Sequence, residues 1–190
     1  PVFLSLGPII TALAAGNKVM VKMSEFTPHT NQVIRTIFEP MPDEVVIIEG
    51  ESEVAAQFSA LPFDHLFFTG STQVGRHVAR AAADNLTPIT LELGGKSPQI
   101  VFPDADLDSA LNGIVAGIFA ASGQSCVAGS RLLIHRSVYE DFVAKLAERA
   151  SRIQIGHPRN DDSEMGPMAT AHQLSVVEDF VAKALEGGAK

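Results

Sequence analysis

Two residues have the types and surroundings needed for covalent chemistry on a carbonyl group. Cys126 lies in Gly123-Gln124-Ser125-Cys126, and Glu92 lies in Leu91-Glu92-Leu93-Gly94-Gly95-Lys96-Ser97-Pro98, 34 residues earlier. Cys126 is the only cysteine, so no internal disulfide can form. Both residues sit beside glycines, where the backbone can approach a substrate closely. A thiol that adds to a carbonyl carbon and a carboxylate that then activates water are the minimum set for such a reaction. A single cysteine is more often a buried, inert thiol, so Cys126 alone does not decide the matter.

Two further segments have binding chemistry. In Phe67-Phe68-Thr69-Gly70-Ser71-Thr72-Gln73-Val74-Gly75 a strand runs into glycine, then a hydroxyl pair, then a helix with a second glycine near its start. Such a turn offers backbone N–H groups and the positive end of a helix to an anion, most often a phosphate. Its spacing departs from the dinucleotide fingerprint G-x-G-x-x-G, and no Gly-Lys-Ser/Thr makes it a P-loop. A plain capped turn would read the same way. Lys22 and Glu25, at the end of another strand, could grip the vicinal hydroxyls of a ribose or form an ordinary surface pair.

The elements that must carry these residues follow from the pattern. Strands are expected at Asn17 to Met23, Val45 to Ile48, His65 to Thr69 and Thr87 to Leu93. Helices are expected at Thr30 to Phe38, Ser52 to Leu61, and from a Ser71 cap to about Asn85. The strands are short apolar runs without alternation, and they alternate with helices. That order predicts an α/β fold: a parallel, Rossmann-like sheet with helices on both faces. Ligands in such sheets bind beyond the carboxyl ends of the strands, which singles out Lys22 to Glu25, Gly50, Thr69 to Gly75 and Glu92 to Gly95. A second α/β region follows, with a long apolar helix from Leu107 to Ala121, expected to be buried. A strand at Arg131 to His135, an amphipathic helix from Val138 to Ile153, a polar loop from Gly156 to Pro167 and a helix from Ala171 to Leu185 complete it. The boundary falls near residues 94 to 99.

The composition is that of an ordinary globular protein, long enough at 190 residues for one good-sized domain or one and a half smaller ones. A net charge of −8 argues against nucleic-acid and anionic-membrane partners, which reward a basic face. No apolar run reaches the roughly 18–20 residues of a membrane span; the longest, Pro1 to Ala15, is interrupted by Gly7-Pro8. One cysteine fits a reducing, cytoplasmic setting. The six histidines are not in a metal-ligand spacing, so no metal is expected.

Taken together and in order, Ala12 to Pro28, the Phe-Thr-Gly-Ser-Thr turn, Leu91 to Pro98 and Gly123 to Cys126 resemble the NAD(P)-dependent aldehyde dehydrogenase superfamily. Val101-Phe102-Pro103-Asp104-Ala105-Asp106-Leu107-Asp108 and Met165-Gly166-Pro167-Met168 are similar to it as well, so the resemblance covers essentially the whole chain. Phe63 to Pro98 looks like the branch acting on coniferyl and other aromatic or fatty aldehydes, whereas Phe119 to Arg131 looks more like the general aldehyde-oxidising branch.

The resemblance implies Cys126 as nucleophile and Glu92 as general base, with Lys22 and Glu25 on the adenosine ribose and Ser71 on the pyrophosphate. Thr69 and Gly70 would lie on the nicotinamide side, Gly94 would allow close approach, and Gly50, Gly75 and Leu93 would complete the coenzyme surface for NAD or NADP. Residues 1–94 would form the coenzyme-binding domain and 95–190 the catalytic domain, each incomplete at its outer end. The substrate would be an aromatic or medium-chain aldehyde, and the parent protein a homodimer or homotetramer. In the family, a Trp-Asn-hydrophobe-Pro stretch supplies an oxyanion donor, and Pro1-Val2-Phe3 resembles the point just after it. The family's Glu-hydrophobe-Phe-Gly-Pro segment would lie beyond Lys190. Gly156-His157-Pro158 departs from the usual Gly-Asp-Pro on an expected surface loop. A coenzyme-A-acylating relative and a nucleotide-binding fragment without turnover stand as alternatives.

Overall fold

The computed structural model describes residues 1–189 and divides into two compact units, Pro1–Leu93 and the chain from Gly94 onward. In the first unit, α1 (Val2–Ala14), β1 (Val19–Lys22), α2 (Pro28–Phe38), β2 (Val45–Ile48), α3 (Ser52–Ser59), β3 (Leu66–Gly70), α4 (Thr72–Asp84) and β4 (Ile89–Leu93) follow one another. The strand pairing is parallel, as the unalternated apolar runs predict. It is realised as two separate ladders, β1 with β2 and β3 with β4.

Each ladder has its own core. Val19, Val21, Val45 and Ile47 pack with Ile9 of α1 and Ile34 and Phe38 of α2. Leu66, Phe68 and Ile89 pack with Val78 and Ala82 of α4 and Phe58 of α3. Side chains alternate across a strand, so Met20, Val46 and Phe67 point the other way, and they are 40%, 42% and 46% exposed.

The second unit contains β5 (Pro98–Val101), α5 (Leu107–Phe119), β6 (Arg131–Ile134), α6 (Tyr139–Ser151) and α7 (Ala171–Glu186). Parallel β5 and β6 pack Val101, Leu132 and Ile134 against Ile114 of α5 and the fully buried Phe142 of α6. Among the described residues no helix is long and apolar enough to cross a membrane.

Three local outcomes differ from the sequence pattern. The run interrupted by Gly7-Pro8 is nonetheless one helix, α1, with Pro8 inside it; burial of Ile9 and the packing of Leu6 and Leu13 hold it despite the lost backbone bond. β5 has only four residues and a leading proline, and it exists through pairing with β6. α5 stops at Phe119 rather than Ala121 and buries one face, at Ile114 and Val115, rather than its whole circumference.

α4 ends in a Schellman-type cap with an unusual residue. Thr87 N–H donates to the Ala82 carbonyl at 3.0 Å and Leu86 N–H to the Ala83 carbonyl at 3.1 Å. This puts Leu86 in the position that favours glycine, with φ at 55° and 89% of its surface exposed. A left-handed non-glycine residue costs roughly 1–2 kcal/mol, against about 0.5–1 kcal/mol of extra chain entropy for glycine. Leu86→Gly is therefore expected to raise stability by roughly 0.5–1 kcal/mol, read as a higher urea midpoint with unchanged slope; a lower midpoint would contradict the cap.

Candidate active site

In the first unit the strand ends collect most of the expected residues. The β3–β4 register pairs Thr69 with Glu92 and Gly70 with Leu93. Leu66, Phe68 and Ile89 face α4, so by alternation Thr69 and Glu92 share the opposite face of the ladder. Glu92 is solvent-exposed there. Beyond β3, Ser71 caps α4: its Oγ accepts the Val74 N–H at 3.2 Å and its carbonyl accepts the Gly75 N–H at 2.9 Å. The hydroxyl proton remains available to donate. Gly75 is buried against Leu93, and a Cβ there would approach Leu93 Cδ2 to 2.8 Å. That closeness seats the helix start directly on the end of β4.

Lys22 and Glu25 meet as an ion pair, Nζ to Oε2 at 2.9 Å, with Lys22 mostly buried and Glu25 about one-third exposed. The Lys22 hydrogen bond is the main reason the Glu25 carboxyl is held below its usual value, helped by a backbone N–H. The turn carrying Glu25 is fixed from beneath by Asn31, whose amide donates to the Ser24 carbonyl at 2.8 Å. Thr27 Oγ1 donates to Asn31 Oδ1 at 3.2 Å. Asn31 escapes a reading of composition because it is polar. Its spacing betrays it, since it falls on the same buried helical face as Ile34 and Phe38. Gly50 follows β2, and a Cβ on it would collide with Val54 at 2.5 Å.

The second unit holds Cys126, which is exposed rather than buried. The approach to it is strained: Ala121 (φ 50°), Ser122 (φ 55°) and Gly123 (φ 72°) are consecutively left-handed. The two non-glycine residues cost roughly 1–2 kcal/mol each, so tertiary contacts must hold the turn. Ser122 Oγ donates to the Gly166 carbonyl at 2.9 Å and to the Pro167 carbonyl at 3.2 Å. Gln124 Oε1 accepts the Ala169 N–H at 3.1 Å. Downstream of Cys126, Gly129 N–H donates to the Gly117 carbonyl at 3.0 Å. The Gln99 side chain occupies the space that a Cβ on either glycine would fill. Gly95 borders the loop, where a Cβ would stand 3.7 Å from the Cys126 carbonyl oxygen. Gly94 has open space around it.

No group of three or more His, Cys, Asp or Glu among the described residues is placed to hold a metal. The expected residues thus divide between the units. Lys22, Glu25, Gly50, Thr69, Gly70, Ser71, Gly75, Glu92 and Leu93 belong to the first, Gly94 and Cys126 to the second.

Comparison with known proteins bears on what these strand ends and this loop belong to. The model of the aldehyde dehydrogenase family matches residues 1–190. A probable coniferyl aldehyde dehydrogenase of Pseudomonas aeruginosa is 44% identical over 192 residues, covering all of this chain and 40% of that protein. (Z)-2-((N-methylformamido)methylene)-5-hydroxybutyrolactone dehydrogenase of Acinetobacter baylyi is also 44% identical, over 99% of this chain and 40% of its own length. The chain therefore spans about two-fifths of these curated relatives. Betaine aldehyde dehydrogenase of Staphylococcus aureus, solved in complex with NAD+, matches with a TM-score of 0.89 at 34% identity over 93% of this chain and 36% of that one. With parallel strand ends, a capped helix start and a lone exposed thiol matched across its whole length, this chain belongs to the aldehyde dehydrogenase family.

Proposed function

We propose that the protein carrying this chain oxidises an aldehyde to a carboxylic acid with a nicotinamide dinucleotide, through a thioester on Cys126. The observation that carries this reading is the exposure of the only thiol at the end of a strained, externally held turn. Cys126 Sγ adds to the aldehyde carbon as thiolate, forming a C–S bond and a tetrahedral oxyanion. Bound coenzyme would supply the acceptor for the two electrons and the hydrogen lost by that carbon. Cys126 is then left holding a thioester. Glu92 takes a proton from water, the water oxygen adds to the thioester carbonyl, the C–S bond breaks, and the acid leaves with Cys126 restored as thiolate.

The residues of the first unit suit such a coenzyme. The start of α4 offers backbone N–H groups to a pyrophosphate, with the Ser71 hydroxyl beside them. Lys22 and Glu25 together offer a donor and an acceptor for vicinal ribose hydroxyls. A charged Glu25 would repel a 2′-phosphate, which favours NAD over NADP. Gly50, Thr69, Gly70, Gly75, Leu93 and Gly94 complete the surface, with residues 1–94 as coenzyme-binding region and 95–190 as catalytic region.

The probable coniferyl aldehyde dehydrogenase supports an aromatic aldehyde as substrate, and the reading extends to medium-chain aldehydes. The Glu-Leu-Gly-Gly setting of Glu92 favours water over coenzyme A as acyl acceptor. The reading extends to a cytoplasmic protein of two or four subunits. For the 190 residues taken alone, the uncovered apolar side chains Met20, Val46 and Phe67 favour a second reading, in which the chain binds coenzyme without turnover; calorimetric titration with NAD+ beside an activity assay separates the two.

In the protein carrying this chain, Cys126→Ala is expected to reduce NADH formation from an aromatic aldehyde to background, and unchanged turnover would end the thiol mechanism. Glu92→Gln is expected to give one equivalent of NADH per site in a burst and then a steady state slowed roughly 10²–10⁴-fold; a normal steady state would remove Glu92 as base. The Glu25 carboxyl, lowered in the folded state chiefly by Lys22, contributes stability that is complete above its ordinary value of 4.5 and fades as pH falls through its lower folded value. The melting-temperature difference between wild type and Glu25→Gln should therefore be flat above that value and shrink below it. A difference that grows on acidification would contradict the pair.

A further inference from the structure

We propose that Ser122 and Gln124 are positioning residues that tie the Cys126 loop to the Gly166–Ala169 strap, an inference that rests on Cys126 being the nucleophile. Ser122 stands in the middle of the left-handed run that begins at Ala121. Neither Ala121 nor Ser122 has an intrinsic preference for this conformation, so the turn persists only where something outside it compensates. The single Ser122 hydroxyl proton is shared between two carbonyls, Gly166 and Pro167, that lie 44 and 45 residues later.

Gln124 closes the tie from the other side of Gly123. Its Nε2 donates back to the Ala121 carbonyl at 3.4 Å, while its Oε1 accepts from the Ala169 N–H at 3.1 Å. One side chain thus joins the start of the left-handed turn to the far end of the strap.

The strap itself is anchored to the body of the second unit. Gly156 N–H donates to the Met165 carbonyl at 3.0 Å, and Glu164 and Met165 N–H both donate to the Gln154 carbonyl. The Glu164 carboxylate accepts from the Arg149 guanidinium at the end of α6 and from the Gln154 N–H. A continuous set of contacts therefore runs from α6, through Glu164 and the strap, to the backbone four residues before the thiol. Downstream of Cys126, the Gly129–Gly117 bond packed on Gln99 holds the other side of the loop. Cutting the upstream tie should release Gly123 to Val127 while leaving the downstream anchor in place.

The experiment pairs hydrogen exchange with kinetics, both on the protein carrying this chain. Ser122→Ala and Gln124→Leu are expected to speed amide exchange in residues 121–127 and 166–169 only. They should lower kcat about tenfold with the KM for coenzyme unchanged. Ala121→Gly keeps every hydrogen bond of the tie and suits the left-handed conformation, so its exchange should be no faster than that of wild type and its kcat unchanged. If Ser122→Ala fails to fold, Gln124→Leu gives the same readout. Unchanged exchange in the variants, or faster exchange with full kcat, would overturn the proposal. Retained activity in Cys126→Ala would instead strike the nucleophile reading, and the exchange measurement would still test the tie.

Discussion

The parallel pairing of β3 with β4 is the constraint on which the first unit depends. Register fixes which residues leave the ladder side by side, and here Thr69 is opposite Glu92 and Gly70 is opposite Leu93. A slip of one residue would send every side chain of one strand to the other face. Leu66 and Phe68 would then leave the core they share with Val78 and Ala82. Burial of those apolar groups thus sets the position of an exposed carboxylate and of the turn that starts α4. The contact between Gly75 and Leu93 carries the same constraint into the helix.

The second unit follows a different rule. Cys126 is not on a strand end; it is on a loop whose backbone is unfavourable by itself and is kept in shape by hydrogen bonds from distant residues. A strained, over-determined loop is a common way to present a reactive group in one geometry. The polar groups that hold it, Ser122 and Gln124, bond to backbone partners.

Much of this was legible because local chemistry and final structure agree. Val45 to Ile48 reads as an apolar strand and is one, and Ser71 reads as a cap and accepts the Val74 N–H. The pairing of Lys22 with Glu25 follows from their spacing. What escaped a local reading was decided by partners remote in sequence. α1 runs through Pro8 because of packing on β1 and α2, and β5 forms against β6. α5 ends early, although the apolar run continues through Ala121, where the backbone turns left-handed and Ser122 bonds the strap. Asn31, a polar residue that the sequence pattern does not single out, is the buried support of the Glu25 turn.

The most direct measurement is the mass of the peptide containing Cys126 after the Glu92→Gln form of the protein carrying this chain is mixed with an aromatic aldehyde and NAD+ and quenched in acid. A covalent thioester predicts that this peptide gains the mass of the acyl group, in proportion to the NADH formed. NADH produced with the Cys126 peptide at its unmodified mass at every quench time would contradict it.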